Sequence, residues 1–380
     1  MPDHGVRDPG RPDLGVHGPG VSGVRGPDVS EPDLGVHGPG VSGVSGPDVS
    51  EPDLGVPDLC WAPPGAVRFA GGVPVALVAP GAGLSSLPAV VGDMATLRHI
   101  DLDGNALTAV PGWIGRLERL RALLLYGNGI AAVPPEVGRL AALEHLSVGH
   151  NALTAVPDAL WRLSRLRSLN LAENELADLP PGLGGLRELR MLDLGHNRLR
   201  EVPAEIGDLP GLTDYLYLSD NGFTSVPASL GRLDRLGYLN LAENRLAALP
   251  ETIGGMTGLH ELRVHDNRLT ALPETIGRLS GLRELHLRNN HLTGLPESLG
   301  GLRALRHLDL RGNPLERLPD AVVRLTELTH LDLRATRLST LPAGLAELPR
   351  LEKLDLRWVK FDETPACVRP LRERGCVVLL

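Results

Sequence analysis

All four tyrosines of this 380-residue chain, Tyr126, Tyr215, Tyr217 and Tyr238, stand beside a leucine in short stretches where apolar and polar residues alternate. In an extended strand such alternation turns the leucines to one face and the tyrosines to the other. A tyrosine on an open face offers a large rigid contact area and one hydroxyl, the chemistry of a protein-binding anchor. Stacking between neighbouring strands, which would only stabilise a sheet, is the competing use. A second set recurs at a related position: His265, Arg288, Arg311, Arg334 and Arg357, with Asp309, Asp332 and Asp355 in the adjacent column. These read as an arginine strip for acidic groups of a partner, or as a lattice whose charges neutralise one another. His307 and His330, with Asp309 and Asp332 close by, make a metal site geometrically conceivable, yet no metal or other cofactor is expected.

The sequence carries no recognisable catalytic signature. His260-Glu261 followed by His265 has the wrong spacing for a zinc protease and falls on an expected strand. Gly18-Pro19-Gly20-Val21-Ser22-Gly23 satisfies a dinucleotide-binding pattern without a strand before it or a helix after it. A net charge of -8 gives no general attraction to nucleic acid or to an anionic membrane. Three scattered cysteines, Cys60, Cys367 and Cys376, make neither a disulfide framework nor a zinc site and suit a reducing cytoplasm. The N-terminus lacks the look of a secretory signal, and no apolar run is long enough to span a bilayer. The expectation is a cytoplasmic monomer that binds a protein.

The elements that must position these residues come from repetition. Residues 12–31 and 32–51 are one twenty-residue Pro/Gly-rich unit written twice, differing only at Arg25 and Ser45. It carries too little apolar surface to offset backbone ordering, so residues 1–60 are expected to be a disordered tail. From about Pro74 the period is 23 residues. The clearest copy runs from Leu282 through Leu285, Leu287, Asn290, Leu292, Leu295, Pro296 and Leu299 to Leu302. One unit cannot bury enough surface to fold alone, so neighbours must share a core and a backbone ladder. The asparagine column suits buried backbone groups where each strand turns away. The proline column presets an extended return and disfavours long helices.

This pattern resembles the leucine-rich repeat, and Leu272-Pro273-Glu274-Thr275-Ile276-Gly277 is similar to the subclass of Ras-associated and plant intracellular Ras-group scaffolds. The resemblance covers residues 74–380. It implies an α/β repeat solenoid: a horseshoe with a parallel β-sheet on the concave face and short helical or 3₁₀ turns on the convex face. It also implies a protein-binding scaffold of intracellular signalling or assembly and not an enzyme. Some bacterial proteins of this look carry a ubiquitin ligase or kinase domain beside the repeats, and none is expected in these 380 residues. An effector with an unrecognised activity and a self-assembling structural protein are the alternatives. The expected divisions are the tail, 61–96 as an N-terminal cap with a degenerate first repeat, 97–357 as the repeats, and 358–380 as a C-terminal cap. Thr213-Asp214-Tyr215 makes one unit a residue longer, and a local bulge is expected to absorb it.

Overall fold

The computed structural model describes residues 59–380. The expected tail lies outside them but for its last two positions. Each repeat contributes one three-residue strand, because the inner leucines must point together while the chain soon turns away at the asparagine. The first strands are β1 (Val67–Ala70), β2 (Val73–Val78), β3 (His99–Asp101), β4 (Ala122–Leu124) and β5 (His145–Ser147). They are followed by β6 (Ser168–Asn170), β7 (Met191–Asp193), β8 (Tyr215–Tyr217), β9 (Tyr238–Asn240) and β10 (Glu261–Arg263). The series ends with β11 (Glu284–His286), β12 (His307–Asp309), β13 (His330–Asp332), β14 (Lys353–Asp355) and β15 (Val377–Leu379). All fifteen lie in one sheet in sequence order. From β2 onward every pair is parallel and in register, as Leu262 opposite Leu285 and Leu285 opposite Leu308 show.

The convex side carries short 3₁₀ segments, all but one entered from a proline; the exception, Leu183–Gly185, follows Gly182 at φ 115°. Pro111, at φ -66° and ψ 144°, leads into Gly112–Arg116, and its carbonyl accepts the Ile114 N–H at 3.0 Å. Proline fixes the extended entry, and glycines inside the segments let neighbouring turns approach closely. At Gly231 an added Cβ would lie 2.1 Å from the Thr252 carbonyl oxygen. Between sheet and turns lies a continuous aliphatic core in which Leu285, Leu287, Leu292, Leu299 and Leu302 are fully buried.

The asparagine column closes the ladder where the strands end. Asn290 is 2% exposed; its Nδ2 donates to the carbonyls of Val264 at 2.9 Å and Leu287 at 3.0 Å, and its Oδ1 accepts the Leu269 N–H at 2.9 Å. One side chain thus bonds backbone of its own repeat and of the one before. The residue preceding each asparagine adopts a left-handed conformation: glycine at 104, 127 and 312, but His150, Glu173, His196, Asp220, Glu243, Asp266 and Asn289 elsewhere, with φ between 49° and 56°.

Both sheet ends are closed by elements of their own. At the start, Gly71-Gly72, both at positive φ, turn β1 back on β2 as an antiparallel hairpin, which the 23-residue period did not foretell. At the other end the strand expected in 375–380 is β15, preceded by the one α-helix among the described residues, α1 (Val368–Glu373). Cys367 and Cys376 are small buried core residues, and burial pushes both thiols above their ordinary pKa.

Candidate functional site

The concave face presents the side chains that flank each inward leucine. Tyr215 and Tyr217 flank Leu216 on β8, and Tyr238 opens β9 directly opposite Tyr215. The Tyr217 ring lies 4.9 Å from both the Tyr215 and the Tyr238 rings, at interplanar angles of 62° and 45°. Such offset geometry favours aromatic contact, and each of the three rings remains partly exposed. Arg263 extends the patch onto β10, its guanidinium carbon 5.5 Å from the Tyr238 centroid and its Nε donating to Glu261 Oε1 at 2.5 Å. On the other flank Asp193 of β7 stands opposite Tyr217. Burial pushes its carboxyl up to about 6 against the pull of the Gly195 N–H, which it accepts at 2.9 Å. Burial also pushes the Tyr215 phenol up to about 12, so the hydroxyl stays a neutral donor at physiological pH.

The longer unit does not disturb this register. The extra residue is taken up ahead of β8, where Thr213 Oγ1 donates to Asp214 Oδ1 at 2.8 Å and Arg190 pairs with Asp214 at 3.3 Å. Met191 still faces Tyr215, and Tyr215 faces Tyr238. The bulge expected from the sequence is therefore displaced into the approach to the strand, since sliding the strand by one residue would turn its leucine out of the core.

Tyr126 occupies a different place. It lies just past the end of β4, four strands from Tyr215 and so roughly 19 Å away at ordinary strand spacing. Its ring stacks on His150 at 5.5 Å, and its hydroxyl donates to Glu173 Oε1 at 2.7 Å. His150 Nδ1 meets the other Glu173 oxygen at 2.7 Å. Burial and that hydrogen bond push the Tyr126 phenol up to about 12.

The arginine column is largely engaged within the sheet. Arg334 reaches Asp332 at 2.5 Å and Asp355 at 3.5 Å, and Arg357 reaches Asp355 at 2.7 Å. Burial alone would raise the Asp355 carboxyl, but the two guanidiniums hold it below its ordinary value. Arg288 lies 3.1 Å from Asp266, whose carboxylate is also 2.7 Å from His265 Nδ1. Arg311 is the member whose guanidinium makes no ion pair among the described residues. The histidines form a ladder, with ring centroids 5.3 Å apart for His286 and His307 and 5.6 Å for His307 and His330. His307, His330, Asp309 and Asp332 do not converge on one point; the potential ligand group among the described residues is Glu261, Glu284 and His286.

Two features escaped sequence reasoning. Arg263 belongs to the tyrosine patch, and its place one strand beyond Asn240 in the same column was the available signal. The left-handed rim column was legible in Gly104, Gly127 and Gly312, where three repeats place glycine at one slot.

Family models for leucine-rich repeats match this chain at residues 119–176, 164–223 and 273–373. A leucine-rich repeat protein of Leptospira interrogans is 31% identical, with a TM-score of 0.67 over 78% of this chain and 82% of that one. The chain belongs to the leucine-rich repeat proteins. An internalin of Listeria monocytogenes shares the fold at 21% identity, with a TM-score of 0.70 over 80% of this chain and 86% of that one. The plant peptide hormone receptor RGFR1, solved with RGF2, is 26% identical at a TM-score of 0.62. That match covers 76% of this chain and 52% of the receptor's. No curated protein matches the sequence. Leucine-rich repeat proteins are in general protein-binding scaffolds and not enzymes. No helix among the described residues is long and apolar enough to cross a membrane.

Proposed function

We propose that this chain is a protein-binding scaffold of intracellular signalling or assembly, and that its partner seats on the concave sheet over Tyr215, Tyr217 and Tyr238. The observation that carries this reading is the continuous aromatic cluster at 4.9 Å spacings, bordered by Arg263 and by a carboxyl with a raised pKa. Tyrosines with an arginine beside them make up the residue set of interface hot spots, and here they sit on a rigid sheet that loses little entropy on binding. Arg311, without an ion pair among the described residues, is assigned to the contact; Arg288, Arg334 and Arg357, with His265, are assigned first to holding the sheet's own carboxylates and second to the partner's rim. Tyr126 forms a separate contact point with His150 and Glu173. A cytoplasmic location accords with the free thiols of Cys367 and Cys376. The plant receptor, solved in complex with RGF2, is a relative of the same fold in complex with a partner.

The test is affinity capture with the wild-type chain, followed by titration of the captured protein against wild type and against Tyr215→Ala/Tyr217→Ala. Loss of two hot-spot aromatics should weaken binding by at least about thirtyfold, taking roughly 2 kcal/mol or more for a hot spot. Unchanged affinity in the double variant would remove the tyrosine patch from the interface.

A further inference from the structure

The concave face carries a second constellation, one strand beyond the aromatic patch, which binding by tyrosines does not use. Glu261 and Glu284 stand directly opposite each other on β10 and β11. Like charges in direct register repel, so the sheet must supply a positive group between them. Arg263 serves Glu261, with its Nε 2.5 Å from Oε1. Among the described residues no guanidinium pairs with Glu284; the group that faces it is His286, whose Nε2 is 3.1 Å from Glu284 Oε2 and 3.8 Å from Glu261 Oε1. One imidazole nitrogen is thus aimed at two carboxylates, and one ligand atom from each of the three side chains falls within a 4.8 Å cluster.

We propose that Glu284, His286 and Glu261 form a binding site for a divalent transition-metal ion of the zinc class. The metric argument is direct. Bonds of about 2.0 to 2.1 Å from nitrogen and oxygen to zinc, at tetrahedral angles, place the ligand atoms about 3.3 Å from one another. The two nitrogen-to-oxygen separations here, 3.1 and 3.8 Å, bracket that spacing without any change in backbone. Imidazole with carboxylate is the ligand chemistry of zinc and its borderline neighbours, while magnesium and calcium ask for oxygen alone. His307 on β12, in register with Glu284 and with its ring 5.3 Å from that of His286, walls the site on the C-terminal side. Glu261 shares its carboxylate with Arg263 and is therefore the weakest of the three ligands, leaving Glu284 and His286 as the primary pair. The ion sits between them, and water fills the fourth position.

The experiment uses the full chain, titrated with ZnCl₂ by calorimetry and with CoCl₂ by visible absorption and by paramagnetic NMR shifts of the histidine rings. One ion per chain should bind, with the largest shifts on the His286 and His307 rings. His286→Gln and Glu284→Gln should each weaken binding at least tenfold, while His330→Gln, one strand too far, should not. All three positions are partly exposed, so far-UV circular dichroism should remain that of wild type. Absence of binding at millimolar metal, or unaltered affinity in His286→Gln, overturns the proposal. Shifts confined to other histidines, such as His4, His17 and His37 near the N-terminus, overturn it equally.

Discussion

Replacing Asn290 with alanine isolates one rung of the asparagine ladder. Asn290 makes three bonds of 2.9 to 3.0 Å and a fourth, from Nδ2 to the Arg288 carbonyl, of 3.3 Å, in a site of 2% exposure. The consequences for the four backbone partners differ, and the Arg288 carbonyl keeps the Asp266 N–H at 2.9 Å. Val264 O still accepts Asn267 Nδ2 at 3.2 Å, and Leu287 O still accepts Asn313 Nδ2 at 2.9 Å, because each carbonyl is shared by successive asparagines. The Leu269 N–H has no second acceptor and is left buried and unpaired. An orphaned donor costs about 1 to 3 kcal/mol, and each lost bond to a carbonyl that keeps another partner about 0.5 to 1.5 kcal/mol. The sum is roughly 2.5 to 7.5 kcal/mol, felt in the repeats flanking position 290 because contacts in a solenoid are between neighbours. Native-state hydrogen exchange reads this locally: the Leu269 amide should exchange at least about thirtyfold faster, since 1.4 kcal/mol is a factor of ten. Amides around Leu123, several repeats away, should hardly change. A Leu269 amide that exchanges within threefold of wild type would refute the assignment of the asparagine as its acceptor, and with it the account of why this column recurs.

Two further outcomes follow from the packing and from the buried carboxyl. Gly231→Ala forces a Cβ against the Thr252 carbonyl at 2.1 Å and should destabilise by about 1 to 3 kcal/mol in urea unfolding, whereas Gly294→Ala, with nothing within 4 Å, should stay within about 0.5 kcal/mol. Equal effects at the two sites would show that the turns do not approach as described. Asp193, pushed to about 6 by burial, binds more protons folded than unfolded between about pH 4 and 6, so its contribution to stability falls as pH rises through that window. Asp193→Asn should accordingly raise stability at pH 7 by up to roughly 3 kcal/mol, at 1.36 kcal/mol per pKa unit, and make no difference below pH 4. A variant equally stabilised at both pH values would locate the effect elsewhere. Thermal melts at the two pH values make the comparison.

The period of the leucines, asparagines and prolines determined the fold from sequence, because each column answers to one local demand: an inward strand position, an unpaired backbone group, or an extended return. Strand alternation likewise placed Tyr215, Tyr217 and Tyr238 on the open face. What the period could not report is contact across strands. Whether Arg334 points at a partner or at Asp355, whether Tyr126 joins the central patch or pairs with Glu173, and which histidine meets two carboxylates all depend on rotamers chosen among neighbours 23 residues apart. The hairpin β1–β2 and the place where the extra residue near Thr213 is absorbed were decided the same way. Sequence periodicity fixes which face a side chain occupies, because that is set by backbone geometry; tertiary packing selects its partner, because charge and volume on adjacent strands compete for the same few ångströms.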